Sequence, residues 1–187
     1  MYRRNYYRGR SAKYSNETVC VNVVGRTHVD PGESFPTDAT PGAFPKGLLV
    51  VPATDILGNR KVKNFTVKLN CMYNESTIVG ALVYVPEGTQ PSDLATQLRS
   101  QSLYEPNQNV ILTFIIPPSC TRDGDGVPTH VFTPPAVSVS NRLARNLSSG
   151  DCIALIFTTV DDIDAGDGTD GVEPVTITGT INYAIKY

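Results

Sequence analysis

The first 14 residues combine two types of side chain that suit single-stranded nucleic acid. They contain four arginines, one lysine and four tyrosines, and no acidic residue. Arginine neutralises phosphate and releases its counterions, whereas tyrosine stacks on unpaired bases. Because the segment lacks a periodic apolar face, we expect it to stay disordered until it binds a partner, with a solubilising tail as the alternative. The residues predicted to bind nucleic acid are Arg3, Arg4, Tyr6, Tyr7, Arg8, Arg10 and Lys13.

A second group of basic residues lies in a predicted strand, Arg60–Cys71. The alternation of apolar and polar side chains is broken near the start of this strand, because Val62 is out of phase with Phe65. One extra residue, at a bulge near Lys63, would place both on the same face. With that bulge, Lys61, Lys63 and Lys68 share one face of the strand. Lys186, on the last predicted strand, alternates with the apolar residues of that strand, so its side chain can lie on the same face as these lysines. We therefore predict that this face helps the arm to hold nucleic acid through phosphate contacts, with a merely solvated face as the alternative.

A third group consists of carboxylates in the glycine-rich loop 161–173. Four of them fall at relative positions 1, 3, 9 and 12, which is the spacing of a calcium-binding loop. Asp167 stands where such a loop has its turn glycine and no predicted helices flank it, so an EF-hand is not expected. A looser structural Ca²⁺ site and a solvated loop without metal both stay open, and no other cofactor is expected. The candidate ligands are Asp162, Asp164, Asp170 and Glu173.

Catalytic chemistry has little support in the sequence. The two histidines, His28 and His130, are far apart, and no nucleophile motif of the G-x-S-x-G type lies near them. A metal-dependent enzyme built on a β-barrel needs several histidines with a carboxylate, which two histidines do not supply. We predict that the protein is not an enzyme.

These groups must be positioned by strands, because the chain alternates short apolar runs with turn-rich segments. Strands that alternate apolar and polar residues have one solvated face, whereas strands that are apolar throughout are buried on both faces. One short helix, capped by Ser92 and ending at Leu98, is predicted between the fourth and fifth strands. The predicted strands are Thr18–Val24, Gly47–Ala53, Arg60–Cys71, Thr77–Val85, Val110–Ile116, a strand around Val137–Ser140, Cys152–Thr158 and Val175–Tyr187.

The two kinds of strand predict how the sheets are composed. Strands one, three, six and eight have a polar face, whereas strands four, five and seven do not. Strands one, eight, three and six are therefore expected to form one sheet in that order, and strands two, seven, four and five the other. The predicted fold class is all-β, an eight-stranded antiparallel single jelly roll of two packed four-stranded sheets with a short helix in one loop.

Length and composition limit the class of protein further. The 187 residues are enough for one domain, so we divide the chain into an arm, 1–14, and a jelly-roll body, 15–187. No apolar run approaches the roughly 20 residues of a membrane span, and the N-terminal charges precede no apolar segment, so neither membrane insertion nor a signal peptide is expected. The four cysteines lack metal-ligand spacing and are predicted to be reduced thiols of a cytosolic or nuclear protein.

The charge is unevenly distributed. The net charge of the chain is -2, but residues 1–13 hold five basic residues and no acidic one. The rest of the chain holds 11 basic and 18 acidic residues and sums to -7. A small basic arm is therefore attached to an acidic body.

Three segments resemble the coat proteins of circular Rep-encoding single-stranded DNA viruses, the circovirus-like group. They are RKVKNFT (60–66), SLYEPNQNVI (102–111) and SNRLARNLSSGDCIALIF (140–157), and the resemblance covers nearly all of the chain after the arm. It implies a capsid protein that self-assembles into an icosahedral T=1 shell of about 60 copies around a single-stranded DNA genome. It also implies location in the virion, and in the host nucleus or cytoplasm during assembly. Arms in this group are usually longer and richer in arginine than this one.

A different class of protein stays open as the alternative. Trimeric jelly-roll binding modules of the lectin or cytokine type have the same predicted architecture. Such modules are usually secreted, whereas this chain begins with a basic arm.

Overall fold

The alternating and the continuous apolar runs form the two kinds of strand expected, and these pair into antiparallel sheets. The structure is a computed structural model. It describes residues 13–25, 47–55, 58–72, 74, 77–91, 94, 109–122, 128–131, 136–159 and 175–187. Within these residues the protein is a β-sandwich with almost no helix.

Eleven strands are present in the described part of the chain, and eight of them correspond to the predicted ones. In chain order they are β1 (Ser15–Gly25), β2 (Gly47–Val51), β3 (Arg60–Met72), β4 (Ile78–Val85), β5 (Val110–Ile116), β6 (Cys120–Arg122), β7 (Pro128–Val131), β8 (Val137–Asn141), β9 (Arg145–Leu147), β10 (Cys152–Thr159) and β11 (Val175–Lys186).

The order of strands in each large sheet is the predicted one. Sheet A has the order β1-β11-β3-β8, and sheet B has the order β2-β10-β4-β5. Every pairing in them is antiparallel. The inward-facing side chains of both sheets form one buried core that includes Phe65, Ile181, Leu82 and Leu155.

The described residues contain three short strands beyond the eight predicted, so sheet A has five strands instead of four, whereas sheet B has four as predicted. β9 pairs with the start of β3 and adds a fifth strand to sheet A, and β6 pairs with β7 in a separate two-stranded sheet. Segments of three or four residues are too short to show an alternation, so their pairing depends on the neighbouring strand. In the connection between β4 and β5, Pro91 and Leu94 are helical. Because Pro91 is already helical, Ser92 is not the residue that caps this helix. Proline is common in the first helical turn, where its missing N–H group costs no hydrogen bond.

The outer face of sheet B is apolar, and it is buried over the two central strands, β4 and β10. Val79, Ala81, Val83, Ala154 and Ile156 are at most 8 % exposed and form a second buried cluster. Leu94, from the connection between β4 and β5, packs in that cluster and is 6 % exposed. On the edge strands, Leu49 of β2 and Ile115 of β5 lie on this same face and are 54 % and 62 % exposed. Strands β4 and β10 are therefore buried on both faces within the described residues, whereas the predicted burial of both faces does not hold for β5.

The predicted bulge in β3 lies at Asn64. The register of β3 against β11 shifts there, between the pairs Lys63–Ala184 and Thr66–Asn182. The φ angle of Asn64 is 58°, in the left-handed region that asparagine adopts more readily than most other residues.

The bulge changes which side of β3 faces the core. Val62 before it and Phe65 after it are both 0 % exposed, although three positions separate them. In an unbroken strand two residues at that spacing would face opposite ways. Lys61 and Lys63 consequently face outward, on the same side as Lys68.

A buried arginine connects the two sheets at the end where β3 begins. Arg60 is 5 % exposed; its Nη1 donates to the Pro52 carbonyl at 2.8 Å and its Nη2 to the Asp151 carbonyl at 2.8 Å. The Asp151 carboxylate in turn accepts the Tyr84 hydroxyl at 2.7 Å and the backbone N–H groups of Ser148 and Glu87 at 2.7 and 3.1 Å. Buried charges persist where hydrogen bonds replace water, and these two meet that condition.

A second buried polar contact holds the opposite end of β3. Asn74 and Ser119 are both 0 % exposed. The Ser119 hydroxyl donates to the Asn74 side-chain oxygen at 2.6 Å, and the Asn74 amide nitrogen donates to the Pro117 carbonyl at 2.9 Å. The connection after β3 is thereby fastened to the connection after β5.

All four cysteines are free, as predicted, and three of them are buried. Burial, together with the neighbouring Cys120 thiol, raises the pKa of Cys71 to about 12. Burial also raises the pKa of Cys152. Cys71 and Cys152 are therefore neutral thiols that act as small core residues.

The left-handed backbone at Asn64 predicts the effects of two substitutions. Asn64→Gly should leave the free energy of unfolding within about 0.5 kcal/mol of the wild type, whereas Asn64→Val should lower it by about 1–2 kcal/mol, because a β-branched side chain is strained in that conformation. Thr66→Val, in extended backbone on the same face, is the matched control and should have little effect. Equal stability of the two Asn64 variants in urea denaturation would contradict the assignment.

The half-buried Tyr84, whose hydroxyl bonds to Asp151, predicts a dependence of stability on pH. Burial, and after it the hydrogen bond to Asp151, raises the pKa of Tyr84 from 10.0 to about 12. The folded state favours the neutral phenol, so this contribution is complete below pH 10 and is lost as the pH rises towards 12. Tyr84→Phe should cost about 1–3 kcal/mol at neutral pH and should reduce the loss of stability between pH 10 and 12.

The control for this measurement is Tyr187→Phe, because Tyr187 is 74 % exposed. It should alter neither the neutral-pH stability nor the alkaline slope in urea unfolding followed by circular dichroism. A Tyr84→Phe variant whose stability falls as steeply above pH 10 as that of the wild type would overturn the explanation.

Candidate nucleic-acid interface

The lysines predicted to share one face do share it. Lys61 and Lys68 are exposed on the outer side of β3, and Lys63 is half-buried there. Lys186 of β11 lies directly opposite Lys61 in the register of the two strands. Directly opposite residues of an antiparallel pair lie on the same side of the sheet, so all four lysines belong to the outer face of sheet A, which we call the lysine face.

The pair Lys61–Lys186 places two like charges side by side. The strand on the other side of Lys61 contributes Asn146, which is neutral. Side chains directly opposite each other on paired strands have Cβ atoms about 4.5–5.5 Å apart, and like charges at that spacing destabilise the folded protein. A bound anion would reverse the sign of this interaction.

Lys63 contacts the residue at which the predicted arm ends. Its Nζ lies 3.8 Å from the centre of the Tyr14 ring. Ala184 of β11 lies opposite Lys63 on one side and opposite Asn16, two positions after Tyr14, on the other. Ala184 is only 5 % exposed although it faces outward. We call Lys61, Lys63, Lys186 and Tyr14 the lysine cluster.

Most of the other outward-facing side chains of the lysine face carry hydroxyl or amide groups, and Cys20, Met72 and Ala184 are exceptions. Thr18 of β1 donates to the side-chain oxygen of Asn182 on β11 at 2.6 Å. Lys68 lies opposite Thr180 on one neighbouring strand and Ser138 on the other. The outward-facing hydroxyl and amide residues on β1, β3, β8 and β11 include Asn16, Thr18, Asn22, Thr66, Asn70, Ser138, Ser140, Thr176, Thr178, Thr180 and Asn182.

No outward-facing position described on the strands of sheet A carries a carboxylate. Glu17 is the one acidic residue in these strands, and it pairs with Tyr183, whose side faces the core. Four lysines without a neighbouring acid stand out on a body whose net charge is negative. Such a face attracts polyanions, and its hydroxyl and amide groups suit sugar and phosphate oxygens.

Several residues predicted to bind nucleic acid or metal lie outside the described residues. These are Arg3, Arg4, Tyr6, Tyr7, Arg8 and Arg10 of the arm, and Asp162, Asp164, Asp170 and Glu173 of the acidic loop. Lys13 is described and is exposed, one residue before Tyr14. Among the described residues, no group of His, Cys, Asp and Glu is arranged to hold a metal ion.

Tyr14 is the residue of the site that sequence analysis missed. The composition of residues 1–14 assigned Tyr14 to the arm. Tyr14 in fact directly precedes β1, and its ring lies against the Lys63 ammonium on the sheet. The sequence did contain one indication of this position. Tyr14 lies an even number of residues before the outward-facing residues of β1, so an extended chain would place its ring on the same face. Because the partner strand and register were not known, that spacing alone did not indicate the contact.

The chain matches no protein-family model, and no curated protein matches it in sequence. Within the described ranges, no helix is long and apolar enough to cross a membrane. Function is therefore inferred from the lysine face and the sheets that position it.

The Lys61–Lys186 pair predicts a variant that is more stable than the wild type. Lys186→Glu turns a like-charge pair into an opposite-charge pair and should raise the free energy of unfolding by about 0.2–1 kcal/mol at low salt. The gain should shrink at high salt, because exposed charges are screened. Lys68→Glu is the matched control, since Lys68 lies opposite neutral residues. An equal gain for both variants in urea denaturation would show that general charge, not the pair, is responsible.

Proposed function

We propose that this protein is the coat protein of a small single-stranded DNA virus. In this proposal the body is a single jelly roll, about 60 copies assemble into a T=1 icosahedral shell, and the shell packages the genome. The lysine face lines the interior and acts together with the basic arm. The protein would occur in the virion, and in the host nucleus or cytoplasm during assembly.

The order of the strands supports the jelly-roll part of the proposal. If β6, β7 and β9 are set aside as additions within connections, the remaining eight strands number one to eight along the chain. Sheet A then has the order 1-8-3-6 and sheet B the order 2-7-4-5. That arrangement of two four-stranded antiparallel sheets is the one found in jelly rolls, which include many viral coat proteins and lectins.

The lysine face is the single observation that carries the nucleic-acid part. Four lysines lie on one sheet face without an acid beside them, while the body as a whole is acidic. A charged face that only kept the protein soluble would be expected to mix both signs. Clustering of one sign, beside the residue at which the arm ends, suits a polyanion held between the arm and the sheet.

The charges also suit a packaging role in amount. In a shell of about 60 copies, five basic residues in each arm would neutralise about 300 phosphates, and the four lysines of the face about 240 more. Each lysine contacts phosphate as a point charge, so binding by the face should be independent of base sequence and should weaken with salt.

The first experiment tests assembly. Expression of the full chain followed by electron microscopy should show small, uniform spherical particles that contain nucleic acid. A soluble trimer without particles would instead favour the lectin-like or cytokine-like binding module.

The second experiment tests the lysine face. Replacing Lys61, Lys63 and Lys68 together by Gln should leave the particles intact but lower their ratio of nucleic-acid to protein absorbance, and should flatten the salt dependence of binding. Stability should change little, since exposed charges contribute little to folding. Arg142→Gln, which removes an exposed charge in the connection between β8 and β9, is the control.

Two outcomes would count against the role of the face. If particles of the triple variant package as much nucleic acid as the wild type, these lysines do not contribute to packaging. A shell structure with these lysines on its outer surface would refute the proposed orientation, whatever the variant packages.

A further inference from the structure

The lysine cluster has a feature that phosphate binding alone does not require, namely an aromatic ring among the charges. Tyr14 is half-buried on the sheet surface, with the Lys63 ammonium 3.8 Å from the centre of its ring. We propose that the lysine cluster is a nucleotide subsite for single strands. One unpaired base stacks on Tyr14 while Lys61, Lys63 and Lys186 bind the flanking phosphates. This inference rests on the proposed function of the lysine face.

The contact between Lys63 and Tyr14 is weak enough to be replaced by a base. A cation over an exposed aromatic ring contributes a factor of about two to five in an equilibrium constant. Stacking of a base on an aromatic side chain contributes roughly five- to 150-fold. Lys63 has a flexible side chain, so its ammonium can leave the ring and reach a phosphate. The exchange therefore gains a stacking contact and an ionic contact for the loss of one weaker contact.

The other two lysines are arranged for the phosphates beside that base. Lys61 and Lys186 lie directly opposite each other on paired strands. Lys63 is two positions along β3 from Lys61, which places the two Cα atoms roughly 7 Å apart. The three lysines thus lie on the same sheet face as the ring, and the like-charge repulsion between Lys61 and Lys186 in the empty site is relieved when phosphates bind.

Selectivity for single strands follows from the ring. In a duplex each base is already paired and stacked, so it cannot stack on Tyr14 without first leaving the helix. Duplex DNA can still bind the lysines through its phosphates. Lys68 lies five positions beyond Lys63 and opposite neutral residues, so it adds charge to the face without belonging to the subsite.

The chain contains no tryptophan, which provides a direct test. Tyr14→Trp keeps an aromatic ring at the site and makes it the single indole of the protein. We expect a single-stranded oligothymidylate to quench this fluorescence on binding, whereas a duplex of equal length and inorganic polyphosphate should bind with little quenching. Equal quenching by polyphosphate would overturn the subsite, because no base is present to stack.

Two further substitutions separate stacking from charge. Tyr14→Leu should weaken binding of the single-stranded oligothymidylate by about tenfold and leave duplex and polyphosphate binding unchanged, whereas Tyr14→Phe should match the wild type. Lys61→Gln with Lys186→Gln should weaken all three ligands and flatten their salt dependence. Urea unfolding of each variant shows whether the fold is kept, and the Tyr14→Phe protein is the matched reference.

The outcomes distinguish this inference from the function on which it rests. If Tyr14→Leu leaves single-strand binding unchanged while the lysine variants weaken it, the subsite is wrong and the lysine face still binds nucleic acid. If Tyr14→Leu weakens all three ligands equally, the ring only positions Lys63 and the subsite is again wrong. If neither the ring nor the lysine variants change binding of any ligand, the nucleic-acid role of the face fails as well.

Discussion

The bulge at Asn64 decides what the surface of this protein can do. β3 lies between β11 and β8 in sheet A, and its side chains must alternate between core and solvent because the period of a strand is two. An unbroken strand could direct either Val62 or Phe65 into the core, but not both. The bulge at Asn64, which is in left-handed conformation, lets both Val62 and Phe65 face the core. It also places Lys61 and Lys63 on the same outer side of β3 as Lys68. Core packing and the charge of the outer face therefore depend on one backbone conformation.

The outer face of sheet A presents mostly polar side chains, whereas that of sheet B is apolar. The centre of the outer face of sheet B is buried with Leu94, and Leu49 and Ile115 on its edge strands are exposed. At the two ends of β3, Arg60 and Asn74 place buried polar groups against carbonyl and side-chain partners from other connections. These contacts satisfy groups that would otherwise need water, and they fix the connections beside the sheet.

The lysine face has the properties of a binding surface that is not optimised for stability. Lys61 and Lys186 lie opposite each other with no described acid between them, although an acid at either position would stabilise the sheet. Most of the remaining outward positions hold threonine, serine or asparagine, so the face offers donors to an oxygen-rich partner. A surface that keeps a repulsive pair where a favourable pair is available is consistent with selection for an anionic ligand, and a nucleic acid is the polyanion that also suits the ring of Tyr14.

Local pattern was enough to predict the order of the eight longer strands in the two large sheets and the bulge near Lys63. The reason is that burial on one face or on two faces leaves a mark on every second residue of a strand. The short strands β6, β7 and β9 were not predictable, because three or four residues carry no such mark. Nor was the burial of Arg60 beside Asp151, or the meeting of Tyr14 with Lys63 and of Lys61 with Lys186. These contacts join residues far apart in the chain, and only the register of the paired strands determines which distant side chains become neighbours.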